Sequence, residues 1–325
     1  MKVLVTGSSG FIGGHLVREL TERGCRVLGI DVNPPTSRPE DFTFEECDIL
    51  DVQKLKSKFL DFDPTHVVHL AARTDLDEKA DLRVDYASNI AGVENVVAAV
   101  QSTPSVVRCI YTSTQLVCRP GYVPQNNKDW QPHTLYGESK VLGEQIIYEN
   151  DGGSKSWCIV RPTTVWGPGM NTHYQKFIRL VEKDRYFHVG NKLLLKSYGY
   201  VGNLVHQYAK LLEAPEVNMQ GKMFYLADYE PISLRHWVDM LSTELGSGPI
   251  VTVPEILARF GAYVGDIVNF VGYNNFPFNS FRLNNVLTEY QVNISETEKI
   301  CGSLPYSMEA GVKETIAWYR QFYNK

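Results

Sequence analysis

No apolar run in the sequence is long enough to cross a bilayer. The first strand-like residues, Val3 to Val5, stand so near the start that no signal peptide is expected. The expectation is a chain with no membrane span. Lys/Arg runs are missing too: 32 Lys+Arg against 37 Asp+Glu leave a net charge of −5, which argues against nucleic acid as the main partner. Bound phosphates, if any, must be handled locally. The six cysteines, Cys25, Cys47, Cys109, Cys118, Cys158 and Cys301, include no C-x-x-C pair, and several sit inside apolar strands. That excludes the usual zinc and dithiol spacings, so no metal is expected, and reduced core thiols in a cytoplasmic protein are. Internal repeats and low-complexity segments are absent as well.

At 325 residues the chain can bury a large core, as one domain with an appended lobe or as two closely packed ones. It is organised around its opening stretch. Val3, Leu4 and Val5 form a short apolar strand, Gly7, Gly10 and Gly13 follow at a G-x-x-G-x-x-G spacing, and a helical pattern runs from His15 to Arg23. Glycines let backbone approach a pyrophosphate without a Cβ in the way, and the N–H groups at the helix start favour the anion. A dinucleotide is the natural ligand. The next strand, Arg26 to Ile30, ends in Asp31, whose carboxylate can accept both ribose hydroxyls and repels a 2′-phosphate, favouring NAD over NADP. Alternatively, Asp31 merely starts the turn through Asn33, Pro34 and Pro35.

From the start to about residue 165 strands and helices alternate, which predicts a parallel sheet covered on both faces. Phe42 to Phe44 lead to Asp48 and Ile49, where Asp48 either accepts from the adenine amino group or caps a helix over Val52 to Phe59. His66 to Leu70 is the fourth strand, and small Ala71 and Ala72 at its end let a cofactor lie against the backbone. His69 reads as a core histidine rather than a catalyst. Asp85 to Val100 is a helix with Asn89 near its start, either a polar core residue or part of the active-site wall. Val106 to Thr112 is a strand ending in Ser113 and Thr114, Pro120 to Pro132 a loop, Tyr136 to Asn150 a helix and Trp157 to Val160 a strand, followed by a turn-rich segment, Pro162 to Gly169. Beyond it strands become sparse, and helices are expected over Tyr174 to Lys183, Asn203 to Glu213 and Leu234 to Leu245. Pro254 to Phe278 is aromatic and apolar, interrupted by Arg259, Asp266 and glycines. It reads as lobe packing, or as a surface that meets lipid or another subunit.

Tyr136 and Lys140 carry the chemistry. A spacing of four puts both on one helix face, below the strand-end hydroxyl of Thr114. A phenol with a free pKa of about 10 is a poor base at neutral pH. A neighbouring ammonium, together with a positive nicotinamide ring, draws it toward working range. Lys140 can also hold the nicotinamide ribose, and Thr114 can position a substrate hydroxyl.

With these residues the chain resembles an extended short-chain dehydrogenase/reductase of the NAD-dependent epimerase/dehydratase family, over nearly its whole length. Thr6 to Gly13, including Phe11 and Ile12, resemble the cofactor turn, Asp31 the ribose acid, Asp48 and Ile49 the adenine contact, and His69, Leu70, Ala71 and Ala72 the fourth-strand end. Thr114, Tyr136 and Lys140 match the catalytic triad. Arg161 to Gly169, with Pro162 and Thr163, resembles the segment flanking the nicotinamide, and Leu304 through Tyr319 the final helix. The resemblance implies a doubly wound Rossmann α/β fold: an NAD-binding domain over 1–165 and a smaller, mainly C-terminal substrate lobe over 166–325, with the chain crossing back near 196–230. It also implies a nucleotide-activated sugar as substrate, and a homodimer formed through the helices at Asp85 to Val100 and Tyr136 to Asn150.

Departures narrow the reaction. Gln115 and Leu116 stand where sugar dehydratases of the family carry an Asp-Glu pair, so elimination of water is not expected. Val117-Cys118-Arg119 replaces the usual Val-Tyr-Gly, and Lys196 a usual Arg. The leading expectation is an epimerase that oxidises a sugar hydroxyl at C4 to a transient ketone and returns the hydride to its other face. Arg73, Asn89 and Thr114 in the first domain, and Asn171, His173, Lys176, Lys196 and Arg282 in the second, are candidate wall or substrate contacts, with Arg282 able to grip a diphosphate. A dehydrogenase or ketoreductase releasing its product, a steroid-type hydroxyl dehydrogenase and a non-catalytic NAD-sensing module are the alternatives.

Overall fold

A computed structural model describes residues 1–36, 39, 42–271 and 278–323, with backbone alone at 173, 322 and 323. The chain divides into two compact units, the first built from Met1–Val165, Gly199–Tyr229 and Asn293–Tyr306, the second from Trp166–Tyr198, Glu230–Val292 and Ser307–Lys325.

In the first unit β1 (Lys2–Thr6), α1 (Phe11–Glu22), β2 (Arg26–Asp31), β3 (Phe42–Glu46), α2 (Val52–Phe62), β4 (His66–His69), α3 (Ala87–Ser102), β5 (Arg108–Thr112), α4 (Leu135–Glu149) and β6 (Ser156–Pro162) follow one another. Among the described residues seven strands join in one sheet, in the order β7-β6-β5-β4-β1-β2-β3, where β7 is Lys222–Leu226. Every pairing in it is parallel. This is a Rossmann-like α/β sheet.

The strands read as near-continuous apolar runs because both faces are covered. Successive side chains point to opposite faces. Val3 and Val5 of β1, Val68 of β4 and Ile110 of β5 join one core cluster, with Leu16 and Leu20 of α1 and Leu204, Tyr208 and Leu211 of α5 (Val201–Glu213). Their neighbours Leu4, Val67, Cys109 and Tyr111 join the other, with Leu55 of α2 and Val93, Val96 and Val100 of α3. Burial of such side chains contributes roughly 1.5–3 kcal/mol each. The six cysteines are all buried.

The structure extends several expected elements. α1 begins at Phe11 rather than His15, directly behind the glycine turn, and α2 runs on to Phe62. Asp51, not Asp48, caps α2, its carboxylate accepting from the Lys54 N–H at 3.0 Å. β7 is formed by the chain returning to the first unit, and a second return brings α6 (Ser295–Cys301). There the Thr297 hydroxyl donates to the Tyr225 carbonyl at 2.7 Å.

The second unit holds α7 (Thr172–Glu182), α8 (Leu234–Leu245), α9 (Glu255–Phe270), α10 (Ser280–Leu287) and α11 (Met308–Tyr323), with strands of only two residues between them. Its core includes an aromatic stack in which Phe177 lies flat on Trp237 with ring centroids 5.7 Å apart, and Trp166 meets Trp237 edge-on. Most of the apolar segment at 254–278 forms α9; residues 272–277 lie outside the described residues.

Candidate active site

The glycine turn is built so that no other residue fits its two ends. Gly7 has φ +71°, and a Cβ there would lie 2.6 Å from the Ala71 nitrogen, while one on Gly13 would lie 2.1 Å from the Gly7 carbonyl oxygen. α1 starts at N-cap Gly10 with no side-chain cap and no acid in its first turn, which contains Phe11 and Ile12. A helix start left in this state fits a pyrophosphate, since its N–H groups and positive dipole end meet no competing carboxylate. Asp31 sits beside the turn. One of its carboxylate oxygens accepts from the Ser9 N–H and the other from the Asn33 N–H, each at 3.0 Å. Asp31 thus orders the turn after β2 and sets its carboxylate beside Ser9 of the glycine turn.

At the end of β4 the Thr6 hydroxyl accepts from the N–H groups of Leu70 and Ala71, each at 3.2 Å, and makes a 2.8 Å bond with His69 Nδ1. Burial pushes the His69 pKa down to about 3, so the ring is neutral. With two amides donating to it, the hydroxyl gives its own proton to Nδ1. His69 is a core histidine that fixes the Thr6 hydroxyl against the backbone of Leu70 and Ala71. Asp48 is exposed and accepts from the Leu50 N–H at 2.9 Å, beside buried Ile49.

The catalytic candidates meet where β5 ends and α4 begins. Thr134 caps α4 by accepting from the Gly137 N–H at 3.0 Å, which places Tyr136 in the first turn. A Cβ on Gly137 would lie 2.3 Å from the Leu116 carbonyl oxygen. Glycine after Tyr136 is what lets the helix start lie against the turn that carries Thr114. The Thr114 hydroxyl accepts from the Leu116 N–H at 3.2 Å and lies close enough to the Tyr136 phenol to pull its pKa down. One turn on, the Lys140 ammonium donates to the Thr112 carbonyl at 2.8 Å.

Burial dominates the electrostatics of both groups in the protein itself. It pushes the Tyr136 phenol up to about 12, outweighing the Thr114 hydroxyl that pulls it down. Burial also lowers Lys140 to about 8, against the opposing pull of Glu144. The dominant influence on both groups is loss of solvent, not their mutual interaction.

Asn89 proves to be a polar core residue. Its amide donates to the Arg73 carbonyl and to Ser139 Oγ, each at 2.9 Å, and its oxygen accepts from the Arg73 N–H at 2.8 Å. It ties the chain after β4 to α4. The Arg73 guanidinium is enclosed by its own segment: Nε donates to Asp75 at 2.6 Å, Asp77 and Asp85 lie within 3.6 Å, and the Tyr86 ring lies beneath. Pro162 ends β6, and the Thr163 N–H donates to the Leu226 carbonyl at 3.0 Å. In the second unit the buried Lys196 ammonium donates to the Asn285 carbonyl at 2.6 Å, and burial lowers it to about 8. The Asn171 side chain accepts from the Tyr174 N–H at the start of α7, while Lys176 and Arg282 are exposed. The side chain of His173 lies outside the described residues.

Three features near these residues were given no role in the sequence reading. Tyr86, fully buried, sets its ring 6.5 Å from that of Tyr136. Ser113 Oγ is buried without a hydrogen-bond partner beside Thr114. Arg161 and Glu144 form a buried ion pair at 2.6 Å, which the Trp130 indole N–H joins at 2.7 Å. The four-residue rhythm Tyr136, Lys140, Glu144 along α4 was a signal for the last.

Comparisons with known proteins agree with this fold. A family model described as the NAD dependent epimerase/dehydratase family matches residues 3–227. The chain is 30% identical over 248 residues to 3-beta-hydroxysteroid dehydrogenase of Mycolicibacterium neoaurum, covering 72% of this chain and 67% of that protein. It is 25% identical over 348 residues to short-chain dehydrogenase/reductase family 42E member 1 of Homo sapiens, covering 98% and 87%. UDP-glucuronic acid 4-epimerase from Bacillus cereus, solved in complex with NAD, has the same fold with a TM-score of 0.76 at 21% identity, over 99% of this chain and 100% of that one. With its parallel sheet, its uncapped glycine turn and its Thr-Tyr-Lys cluster, the chain belongs to the NAD-dependent epimerase/dehydratase family, whose cofactor is NAD.

Proposed function

We propose that the chain oxidises a secondary hydroxyl at C4 of a nucleotide-activated sugar and reduces the resulting ketone from the other face, as an epimerase. The observation that carries this is the meeting of Thr114, Tyr136 and Lys140 in the unit that also carries the glycine turn and Asp31. NAD, when bound, supplies the hydride acceptor and a positive ring. Tyr136, as the phenolate, takes the hydroxyl proton, Thr114 orients that hydroxyl, and Lys140 holds the ribose and offsets the burial that raises the phenol. Gln115 and Leu116 offer no acid–base pair for elimination of water. A homodimer through α3 and α4, in the cytoplasm, belongs to the same reading.

One observation favours a second reading, a hydroxyl dehydrogenase of an apolar secondary alcohol. Two of the cations that could grip a diphosphate, Arg73 and Lys196, are bonded to their own chain, and the 30% identical relative is named a hydroxysteroid dehydrogenase. The experiment that separates the two measures bound NAD in the purified protein, then interconversion of UDP-, GDP-, CDP- and dTDP-linked sugars without added cofactor, with a thermal-shift screen of the same set. Turnover without added cofactor supports the epimerase. Stoichiometric NADH from a sterol-type alcohol, with no shift by any nucleotide sugar, supports the dehydrogenase.

A further inference from the structure

Helix α9 is inside out. Its buried positions are small: Ala258, Ala262 and Gly265, spaced four and three apart, face a minor core with Leu283, Phe278 and Leu287. Its large apolar side chains point the other way. Ile256, Phe260, Tyr263, Ile267 and Phe270, spaced four, three, four and three, form one continuous outer face. Leu257, Val264 and Val271 widen it, and Phe281 of α10 is exposed as well. Phe270 is 91% exposed, Ile256 77% and Phe260 69%. Together these nine side chains offer on the order of 1,000 Å², well above the roughly 300–600 Å² of the largest apolar patch on a soluble monomer.

The chemistry of the face and its rim indicates the occupant. Interfaces between proteins carry about one hydrogen bond per 100–200 Å². Among the large side chains of this face, the Tyr263 phenol alone can make one, while the helix satisfies its own backbone. Such a surface suits a solvent that asks for no hydrogen bonds. The rim is cationic although the chain as a whole carries −5. Lys192 and Arg259 share the single carboxylate of Glu255, at 3.7 and 2.8 Å, which leaves a local surplus of positive charge, and Arg282 is exposed at the start of α10. The remaining carboxylate of α9, Asp266, is turned inward and accepts from the Ser280 N–H at 3.2 Å. α9 has 16 residues, about 24 Å at 1.5 Å per residue, too short to span a bilayer but suited to lying in its surface. No helix among the described residues is long and apolar enough to cross a membrane.

We infer that α9 docks the protein flat on an anionic phospholipid bilayer, its apolar face in the acyl boundary and Lys192, Arg259 and Arg282 among the headgroups. The inference does not depend on which hydroxyl is oxidised. It is tested by floating the full chain with vesicles of phosphatidylcholine containing about one part in three phosphatidylglycerol, with phosphatidylcholine vesicles alone, and without lipid. Expected is co-flotation with the anionic vesicles that falls when phosphatidylglycerol is omitted. It should fall at least about tenfold in the triple variant Ile256→Ser, Phe260→Ser, Phe270→Ser, with an unchanged thermal midpoint because all three side chains are exposed. A polarity-sensitive dye on Phe270→Cys should shift to the blue on the same vesicles. Three results would each overturn the inference: a parent that stays at the bottom with both lipids, a triple variant that floats as well as the parent, or a parent dimer in sedimentation that the triple variant turns into monomer, which would make the face a contact between copies.

Discussion

At the scale of single residues, burial is the largest influence on the charge states of the candidate site. Tyr136 at about 12 is a protonated phenol at neutral pH, and Lys140 at about 8 is only partly charged above that value. Tyr136→Phe should preserve the fold and NAD binding and lower kcat by roughly 10²–10⁴, the usual range for losing a positioned acid or base. Equilibrium dialysis with NAD and steady-state turnover check the two halves of that statement. Lys140→Met should also lose turnover, but with the opposite sign in stability. Its folded pKa lies below the unfolded value of 10.5. The lysine therefore costs the fold most below about pH 8, and the cost fades as pH rises toward 10.5, because the unfolded chain keeps its proton longer. The Met variant should melt no lower than the parent at pH 7, and the difference between them should narrow from pH 8 to 10, as thermal denaturation at stepped pH would record.

At the scale of elements, α4 is held at both ends. At its start Gly137 meets the Leu116 carbonyl so closely that Gly137→Ala must displace the turn carrying Thr114. The expected outcome is a large loss of kcat with NAD affinity kept, since the glycine turn at α1 is not touched; paired measurements of kcat and the NAD dissociation constant decide it. Two turns on, Glu144 pairs with Arg161 at 0% and 1% side-chain exposure. Replacing Arg161 by Leu strands a buried carboxylate and should cost about 3–5 kcal/mol in urea unfolding. Sequence pattern placed α4, α1 and the first six sheet strands to within a few residues, because apolar runs and glycine turns are local signals. It did not show that Arg161 reaches Glu144, or that Asn89 spends its amide on Arg73 and Ser139, since those partners are set by how α3, α4 and β6 pack.

At the scale of the molecule, the chain leaves the first unit at residue 165 and returns twice, at Gly199–Tyr229 and Asn293–Tyr306. The first return supplies β7, whose pairing with β6 completes the sheet behind the site. If NAD binds the folded first unit alone, saturating NAD at about 100 times its dissociation constant should stabilise the protein by roughly 2.7 kcal/mol, visible as a raised thermal midpoint. NADP should give a smaller shift, because Asp31 meets its 2′-phosphate.

The opening glycines, the carboxylate after β2 and the Tyr136–Lys140 spacing are properties of neighbouring residues, so the sequence by itself determined the fold class and the cofactor and picked out the candidate reacting side chains. Charge states and partners depend on what each group is buried against. Only the tertiary structure decided that Tyr136 is raised rather than lowered, that Arg73 and Lys196 are bonded within their own chain, and that the large apolar side chains of α9 face outward. Burial and long-range pairing are set by residues far apart in the chain, and no local pattern carries them.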